Sequence, residues 1–345
     1  MRDNKKLFRN LAFFVLLIGL TLYILLKDQD VFQIFNILSS VKIEFVLIGI
    51  ASILIYVVCE AINIGRTLRS LHEKSNFGRN LKYALIGFFF SSITPAASGG
   101  QPMQIYYMHK DKISVSNSTI TLLINLSSMQ VITISFALIS LMFNYSYLNG
   151  VLITCFIIGI LLNLSALILL LIGIFSKRMT KGLINIAIKV MKFFRVKNLD
   201  GKREKLEKEL TKYQSNADYI RGNKGLIIKT ILTTLVQFTA YYSITYWTYR
   251  ALGFSEKNIL EIITMQSVLF ATVSGIPSPG AVGVTEGAFI EIFRSVYPES
   301  IMSSAVLLNR GINFYFLILI SGIVTVVNHL KYGKDEDKEV SALRK

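Results

Sequence analysis

Long apolar stretches alternate with short polar loops along most of this chain. A bilayer core of about 30 Å is crossed by about 20 apolar residues in helical form, and most of the stretches reach that length. The pattern therefore predicts an all-α integral membrane protein. Eight apolar segments can be delimited, at residues 7–26, 43–64, 82–108, 119–143, 151–175, 226–249, 258–297 and 304–330.

Two short breaks rich in proline and glycine interrupt the third and seventh segments, and they share a spacing. The first break, 94–102, places Pro95 four residues before Gly99. The second, 277–286, does the same with Pro279 and Gly283. A backbone broken at membrane depth is tolerated only where protein or a water-filled cavity covers its polar groups. A matched pair of breaks in the two halves of a chain is the usual sequence indication of a transporter's binding site.

The positions of the basic residues orient the segments. Basic residues are concentrated at the N-terminus and in loops 66–82 and 177–224, so the sequence predicts that these regions and both termini are cytoplasmic. Segment 82–108 then begins and ends on the cytoplasmic side, and segment 258–297 begins and ends outside. We therefore expect six full spans plus two re-entrant hairpins inserted from opposite faces, as in an inverted repeat. The alternative is that each break is a kink in a crossing helix.

This topology divides the chain into two membrane halves. The first half is predicted at 1–176 and the second at 226–330, with a cytoplasmic tail at 331–345. Between the halves, residues 177–225 are predicted to form a basic amphipathic linker. Its stretch 182–196 has the pattern of a helix that lies on the membrane surface.

Composition supports the membrane class. Of 345 residues, 52% are hydrophobic and 17% are charged, whereas a soluble domain is about a quarter charged. The net charge of +16 would suggest nucleic-acid binding in a soluble protein. Here the basic residues lie mostly in loops, where they fit positive-inside topology and contact with anionic lipid headgroups. We find no nucleotide loop, zinc-ligand spacing or Ser/His/Asp set, so neither a cofactor nor a metal is expected.

Ionisable residues inside apolar segments suggest functional sites, because inserting each one costs about 2.5–3.5 kcal/mol. Glu286 directly follows the second break, where Gly280 and Gly283 would let a ligand or another backbone approach closely. Arg310, in the last segment, is its predicted partner. The two are either a buried pair that serves packing or groups that bind a charged headgroup or change protonation. Glu60 lies late in the second segment.

The first break carries no charge. Gly99 and Gly100 would expose N–H groups at the start of a half-helix, which suits a phosphate or hydroxyl group, although glycine equally serves tight packing. Gln101 follows them directly. The predicted lipid-binding residues are Pro95, Gly99, Gly100, Gln101, Pro279, Gly280, Gly283, Glu286 and Arg310.

At both breaks the chain resembles the lysylphosphatidylglycerol synthase transmembrane-domain family of flippase-like proteins. Two positions depart from the family pattern: Gln101 stands where many relatives have an acidic residue, and Thr285 where many have arginine. Both departures remove charge, so a headgroup preference does not carry over. The matching residues are Thr94, Pro95, Gly99, Gly100, Pro102, Tyr106 and Tyr107, then Pro279, Gly280, Gly283, Glu286, Ala288 and Phe289.

The resemblance implies movement of an aminoacylated phosphatidylglycerol to the outer leaflet, a function associated with antibiotic resistance. In the best-known members a cytoplasmic domain fused after the membrane part makes that lipid from lysyl-tRNA. Only about 15 residues follow the last apolar segment here, so we expect translocation rather than synthesis.

We therefore expect a flippase-like protein of the cell membrane that translocates or binds a polar phospholipid, aminoacylated or anionic, or a lipid-linked headgroup. Two alternatives stay open. One is a phosphatidylglycerol lysyltransferase, which would also bind tRNA, the only nucleic acid expected. The other is a non-catalytic scaffold for a separately encoded lipid synthase or glycosyltransferase. The expected partners are membrane phospholipids and such an enzyme.

Overall fold

The structure, a computed structural model, describes most of the chain after the first apolar segment. The predicted segment 7–26 and most of the stretch 182–196 lie outside the described residues. The described residues are 31–144, 150–179, 199–276 and 279–342, together with Gly182, Asn185, Ile188, Lys189 and Lys192.

Every regular element with bounds in these ranges is helical. Asparagine side chains cap the first turn of three helices: Asn76, Asn223 and Asn258 each accept the N–H of the residue three positions on. The helices are α1 Val31–Ser39, α2 Ile43–Ser70, α3 Phe77–Ser92, α4 Gly100–Lys110, α5 Val115–Asn144, α6 Gly150–Phe175, α7 Leu199–Gly222, α8 Lys224–Ala251, α9 Ile259–Val273, α10 Val284–Ile292, α11 Glu299–Arg310 and α12 Phe316–Ala342.

Four helical stretches among the described residues are long and apolar enough to cross a membrane. Large side chains on them face outward: Leu161, Leu169 and Leu319 are 55%, 62% and 65% exposed. Contiguous apolar surface of this kind is stable against lipid rather than water. The predicted all-α membrane protein is therefore confirmed, while the number of spans stays a prediction. The four stretches are Ile43–Ser70, Val115–Met142, Leu152–Phe175 and Glu299–Tyr332.

Helices α2 and α8 form an antiparallel pair. At one end the Lys42 N–H donates to the Ala251 carbonyl at 3.0 Å. Deeper in the pair, Asn63 Nδ2 donates to Thr234 Oγ1 at 3.0 Å. Thr234 of α8 thus has a partner inside the protein. Helix α8, at 28 residues, is long enough to span a membrane but is less apolar than the four stretches above.

The end of α2 that carries Arg66 and Arg69 is called the basic end here. The first broken segment consists of α3, the first break and α4. It starts at the basic end, because Asn80 of α3 lies against Gly65 of α2. Helix α4 then runs back along α3 and returns to the same end. Lys82, near the start of the segment, pairs with Asp111, directly after it, with Nζ and Oδ2 2.5 Å apart.

The second broken segment starts from the opposite end of the bundle. There the rings of Tyr249 and Phe254, before α9, contact the ring of Tyr297, after α10, with centroids 5.9 and 5.7 Å apart. The two segments therefore enter from opposite ends, which is the geometry expected of an inverted repeat. Their depth in a bilayer stays a prediction.

Helix α7, in the predicted linker 177–225, packs on the basic end. The Ser116 N–H donates to the Glu209 carboxylate at 3.0 Å, and the Tyr213 hydroxyl donates to the Gly173 carbonyl at 2.8 Å. This part of the linker is therefore docked on α5 and α6. Helix α12 also passes the predicted start of the tail without a break and ends at Ala342.

Candidate functional site where two broken helices meet

The two breaks share two features of local geometry. In each, a 3-10 turn starts at the proline, at Pro95–Ala97 and Pro279–Ala281. The alanine that ends each turn is left-handed, with φ of 53° and 50°, a conformation that costs an L-residue about 1–2 kcal/mol. Gly99 and Gly283 then cap the following helices. The shared Pro-x-x-x-Gly spacing thus gives a 3-10 turn at each break. The two turns differ at their glycines, because Gly280 and Gly283 have positive φ of 59° and 85° whereas Gly99 has a φ of −85°.

The two turns contact each other. Gly280 lies at the contact with a φ of 59°. A Cβ there would fall 2.4 Å from the Phe314 ring and 3.2 Å from the Ser92 carbonyl oxygen. Glycine is therefore required both by the backbone conformation and by the close approach of the two segments.

Glu286 and Arg310 form the predicted pair, and both are buried at 2% and 5% exposure. Arg310 Nε donates to Glu286 Oε1 at 2.8 Å, and its Nη2 donates to the Gly280 carbonyl at 3.2 Å. Glu286 Oε2 accepts the Gly283 N–H at 2.7 Å and so caps α10. The guanidinium also lies 4.1 Å from the Phe314 ring centroid. Both oxygens of the Glu286 carboxylate therefore accept hydrogen bonds, one from Arg310 and one from the Gly283 N–H.

A π-helical turn follows Arg310 directly, at Gly311–Tyr315, and separates α11 from α12. Such turns are rare and frequently mark functional sites. This one places Arg310 and Phe314 on the same side, where both reach the second break. The sequence indicated the charged residue but not the irregular turn that aims it.

The glycines of the first break allow close packing between α3 and α4. A Cβ on Gly100 would lie 2.0 Å from Ser91 Oγ and 2.8 Å from the Gly87 carbonyl oxygen. A Cβ on Gly99 would lie 2.7 Å from Thr94 Cγ2, and the Gly99 N–H donates to Thr94 Oγ1 at 2.9 Å. The packing role is thus visible, and the phosphate-binding role stays a prediction.

Gln101 is placed away from the Glu286–Arg310 pair. It lines a cavity of about 130 Å³ between α2, α5 and the first broken segment, together with Glu60, Gln104 and Asn125. Gln104 Nε2 lies 3.4 Å from Glu60 Oε1. Sequence reasoning noted Glu60 as a charge in an apolar segment but did not connect it with Gln101. Nothing in the spacing along the chain indicates that they share a cavity.

The tip of the first break is open to the surroundings. Pro95, Ala97 and Ser98 are exposed, and so is the stretch 274–276 before the second break. The backbone groups of such turns cannot face hydrocarbon without a large cost, because lipid tails offer no hydrogen bonds. Exposed turns at membrane depth, as the sequence predicts for them, would need contact with water.

A second polar cluster closes the base of the first broken segment. Asp111 accepts hydrogen bonds from Lys82 and from the hydroxyls of Tyr83 and Tyr332. Burial alone would raise the pKa of the Asp111 carboxyl, but these three donors together hold its pKa below the usual range. The cluster ties both ends of the segment to α12.

These features define a polytopic α-helical membrane protein with two broken helical segments that enter from opposite ends and contact each other at their turns. The chain belongs to the family described as the lysylphosphatidylglycerol synthase TM region, whose model matches residues 10–321. The match contains both breaks, so the family indicated by them is confirmed. The protein is thus a membrane protein of lysylphosphatidylglycerol-related lipid handling. No curated protein matches the chain.

Proposed function

We propose that this protein moves a polar phospholipid, aminoacylated or anionic, or a lipid-linked headgroup between the two leaflets. The observation that carries the proposal is the contact between the turns Pro95–Ala97 and Pro279–Ala281, which come from opposite ends of the bundle. In transporters with inverted repeats, broken helices that meet near the middle of the membrane form the substrate site. Family membership favours a lipid as the substrate.

Two kinds of surface on the protein suit the two parts of a lipid. Ser98 and the turn around it offer exposed polar groups to a headgroup. The outward faces of α6 and α12, with Leu169 and Leu319, offer apolar surface to acyl chains. A headgroup that follows the polar turn keeps its hydrogen bonds while its tails stay in hydrocarbon, which lowers the barrier to crossing.

In this proposal the Glu286–Arg310 pair holds the second turn in place. A phosphate group that reaches Arg310 would compete with the Glu286 carboxylate for the same guanidinium, since arginine binds both through paired N–H donors. Release of Glu286 would also remove the cap of α10. Headgroup binding and movement of the second turn would therefore be coupled.

The test is leaflet exchange of fluorescent phosphatidylglycerol and lysylphosphatidylglycerol in proteoliposomes. The informative variant is Ser98→Trp, because the exposed Ser98 side chain leaves room for a bulky ring that would obstruct a headgroup. The matched control is Ser165→Trp, an exposed serine on the outward face of α6. Size-exclusion profiles compare the folding of both variants with wild type.

We expect wild type to exchange at least one of the lipids faster than empty vesicles do. Ser98→Trp should slow that exchange by about tenfold, the effect of roughly 1.4 kcal/mol on the barrier, while Ser165→Trp should not. No exchange of either lipid by wild type would contradict the proposal. Equal rates in the two variants would move the path away from the first break.

We also propose that the basic end faces the cytoplasm of the cell membrane, because Arg66, Lys82 and the lysines of α7 are concentrated there. In a Cys155→Ala background, a membrane-impermeant thiol reagent should label Lys208→Cys only after the cells are permeabilised. Labelling of intact cells would reverse the orientation.

A further inference from the structure

The cavity beside the first broken segment is acidic, and the proposed headgroup path does not use it. It measures about 130 Å³ and is lined by Glu60 and Tyr56 of α2, Gln101 and Gln104 of α4, and Asn125 of α5. In the described part of the chain, Glu60 has no lysine, arginine or histidine within ion-pair distance. Among the described residues, its side chain has a hydrogen-bond contact with Gln104, at 3.4 Å. A carboxylate in an apolar helix without a cationic partner is costly.

Asn125 provides a second, independent observation. Its side chain is only 4% exposed, it lines the same cavity, and its Oδ1 has no hydrogen-bond partner. A buried acceptor left without a donor costs about 1–3 kcal/mol. The cavity therefore contains two acceptors, one of them anionic, that lack a strong donor.

The size of the cavity limits what can fill it. At about 30 Å³ per water molecule, 130 Å³ holds about four waters or a small, partly hydrated ion. A terminal ammonium group fits this volume. An ammonium carries a positive charge and three N–H donors, and so complements both Glu60 and Asn125.

We propose that this cavity binds a small monovalent cation of ammonium size, held by the Glu60 carboxylate and Asn125 Oδ1. The cation is either a dissolved ion or the primary ammonium group of a lipid headgroup. This site goes beyond the proposed lipid transport and does not depend on it, because binding can be measured in protein that moves no lipid.

The first arm of the test measures thermal unfolding of the purified full-length chain in detergent. Methylammonium or sodium chloride is titrated against N-methyl-D-glucamine chloride at constant ionic strength, since that cation is too bulky for the cavity. Wild type should show a saturable rise in Tm with methylammonium, sodium or both. Glu60→Gln should weaken the apparent affinity by about tenfold or more, because a charged hydrogen-bond partner is lost.

Two further variants make the result specific. Glu44→Gln makes the same change at an exposed position of the same helix and should keep the wild-type response. Asn125→Leu removes the second acceptor, keeps Glu60, and should also weaken binding, which tests the site even if Glu60→Gln folds poorly. A response that persists in Glu60→Gln, or is lost equally in Glu44→Gln, would overturn the proposal.

The second arm separates the two sources of the cation. Protein is placed in nanodiscs of phosphatidylglycerol with or without phosphatidylethanolamine, which carries a primary ammonium. Stabilisation by the amine lipid in wild type and Glu44→Gln, but not in Glu60→Gln, would assign the site to a headgroup. A response to dissolved cations alone would assign it to a free ion. If neither arm shows a response that depends on Glu60, the cavity does not bind a cation.

Discussion

Replacing Arg310 by methionine should strongly destabilise this protein. The guanidinium is 5% exposed and donates to the Glu286 carboxylate at 2.8 Å and to the Gly280 carbonyl at 3.2 Å. Methionine fills a similar volume but supplies no donor. The Glu286 carboxylate, itself 2% exposed, would then be left without its counter-charge.

The expected magnitude follows from that unpaired charge. Removing one partner of a buried ion pair typically costs about 3–5 kcal/mol, because the remaining charge stays desolvated. The Gly283 N–H still stabilises the carboxylate at 2.7 Å, so we expect a cost near the lower limit, about 3 kcal/mol. The double variant Glu286→Gln/Arg310→Met should recover part of this loss, since it removes the buried charge as well.

The assay is thermal unfolding of the purified protein in detergent, followed for both single variants and the double variant. Arg294→Met is the matched control, because Arg294 is exposed on the loop after α10. A double-mutant cycle should give a coupling free energy of about 2 kcal/mol. The reasoning is refuted if Arg310→Met unfolds at the wild-type temperature, or if the two single effects simply add.

Three further changes test other parts of the fold. Gly280→Ala should cost about 2–3 kcal/mol of stability, because Gly280 has a left-handed φ and lies close to the Phe314 ring. The control Gly287→Ala lies in open space on α10 and should be neutral or slightly stabilising. Equal Tm values for the two variants would contradict this prediction. Gly159→Ala should disrupt the packing of α6 against α9, because the new Cβ would lie 2.2 Å from the Ala271 carbonyl oxygen. The expected result is a loss of the monodisperse peak in size-exclusion chromatography. The pKa of the Asp111 carboxyl is lowered in the folded protein. Its contribution to folding stability is therefore complete above the pKa of an aspartate in the unfolded chain, about 3.9, and is lost as the pH falls below that value. Asp111→Asn should lower stability at neutral pH and remove this part of the acid dependence in a Tm–pH profile.

The pairing of Glu286 with Arg310 shows how far local reasoning reaches. Each is a charge in an apolar segment, and the cost of burying a lone charge makes a partner necessary. The chain offers few candidates, so the partner could be named. What the pair does could not be predicted, because the capping bond from Gly283 and the π-helical turn after Arg310 depend on how the neighbouring helices are placed.

Gln101 illustrates the opposite case. By position Gln101 belongs to the first break, and the sequence predicts that it shares one lipid-binding site with the residues of the second break. In the structure it faces the cavity of Glu60 instead. Packing decides which side of a short helix faces each neighbour. Here Gly87 and Gly100 allow α3 and α4 to pack closely together. A helix of 11 residues with little segregation of apolar and polar positions carries no sequence signal of that choice.

The sequence by itself determined the membrane class, the helical segments, the two breaks and the family. These follow from local rules: apolar length indicates membrane-spanning helices, proline and glycine interrupt helices, and the paired spacing marks a 3-10 turn at each break. Only the tertiary structure decided that the two turns touch, that Gly280 is where they approach, and that Glu60 shares a cavity with Asn125. Those contacts join residues far apart in the chain, and their geometry depends on helix packing over the whole bundle rather than on any single segment.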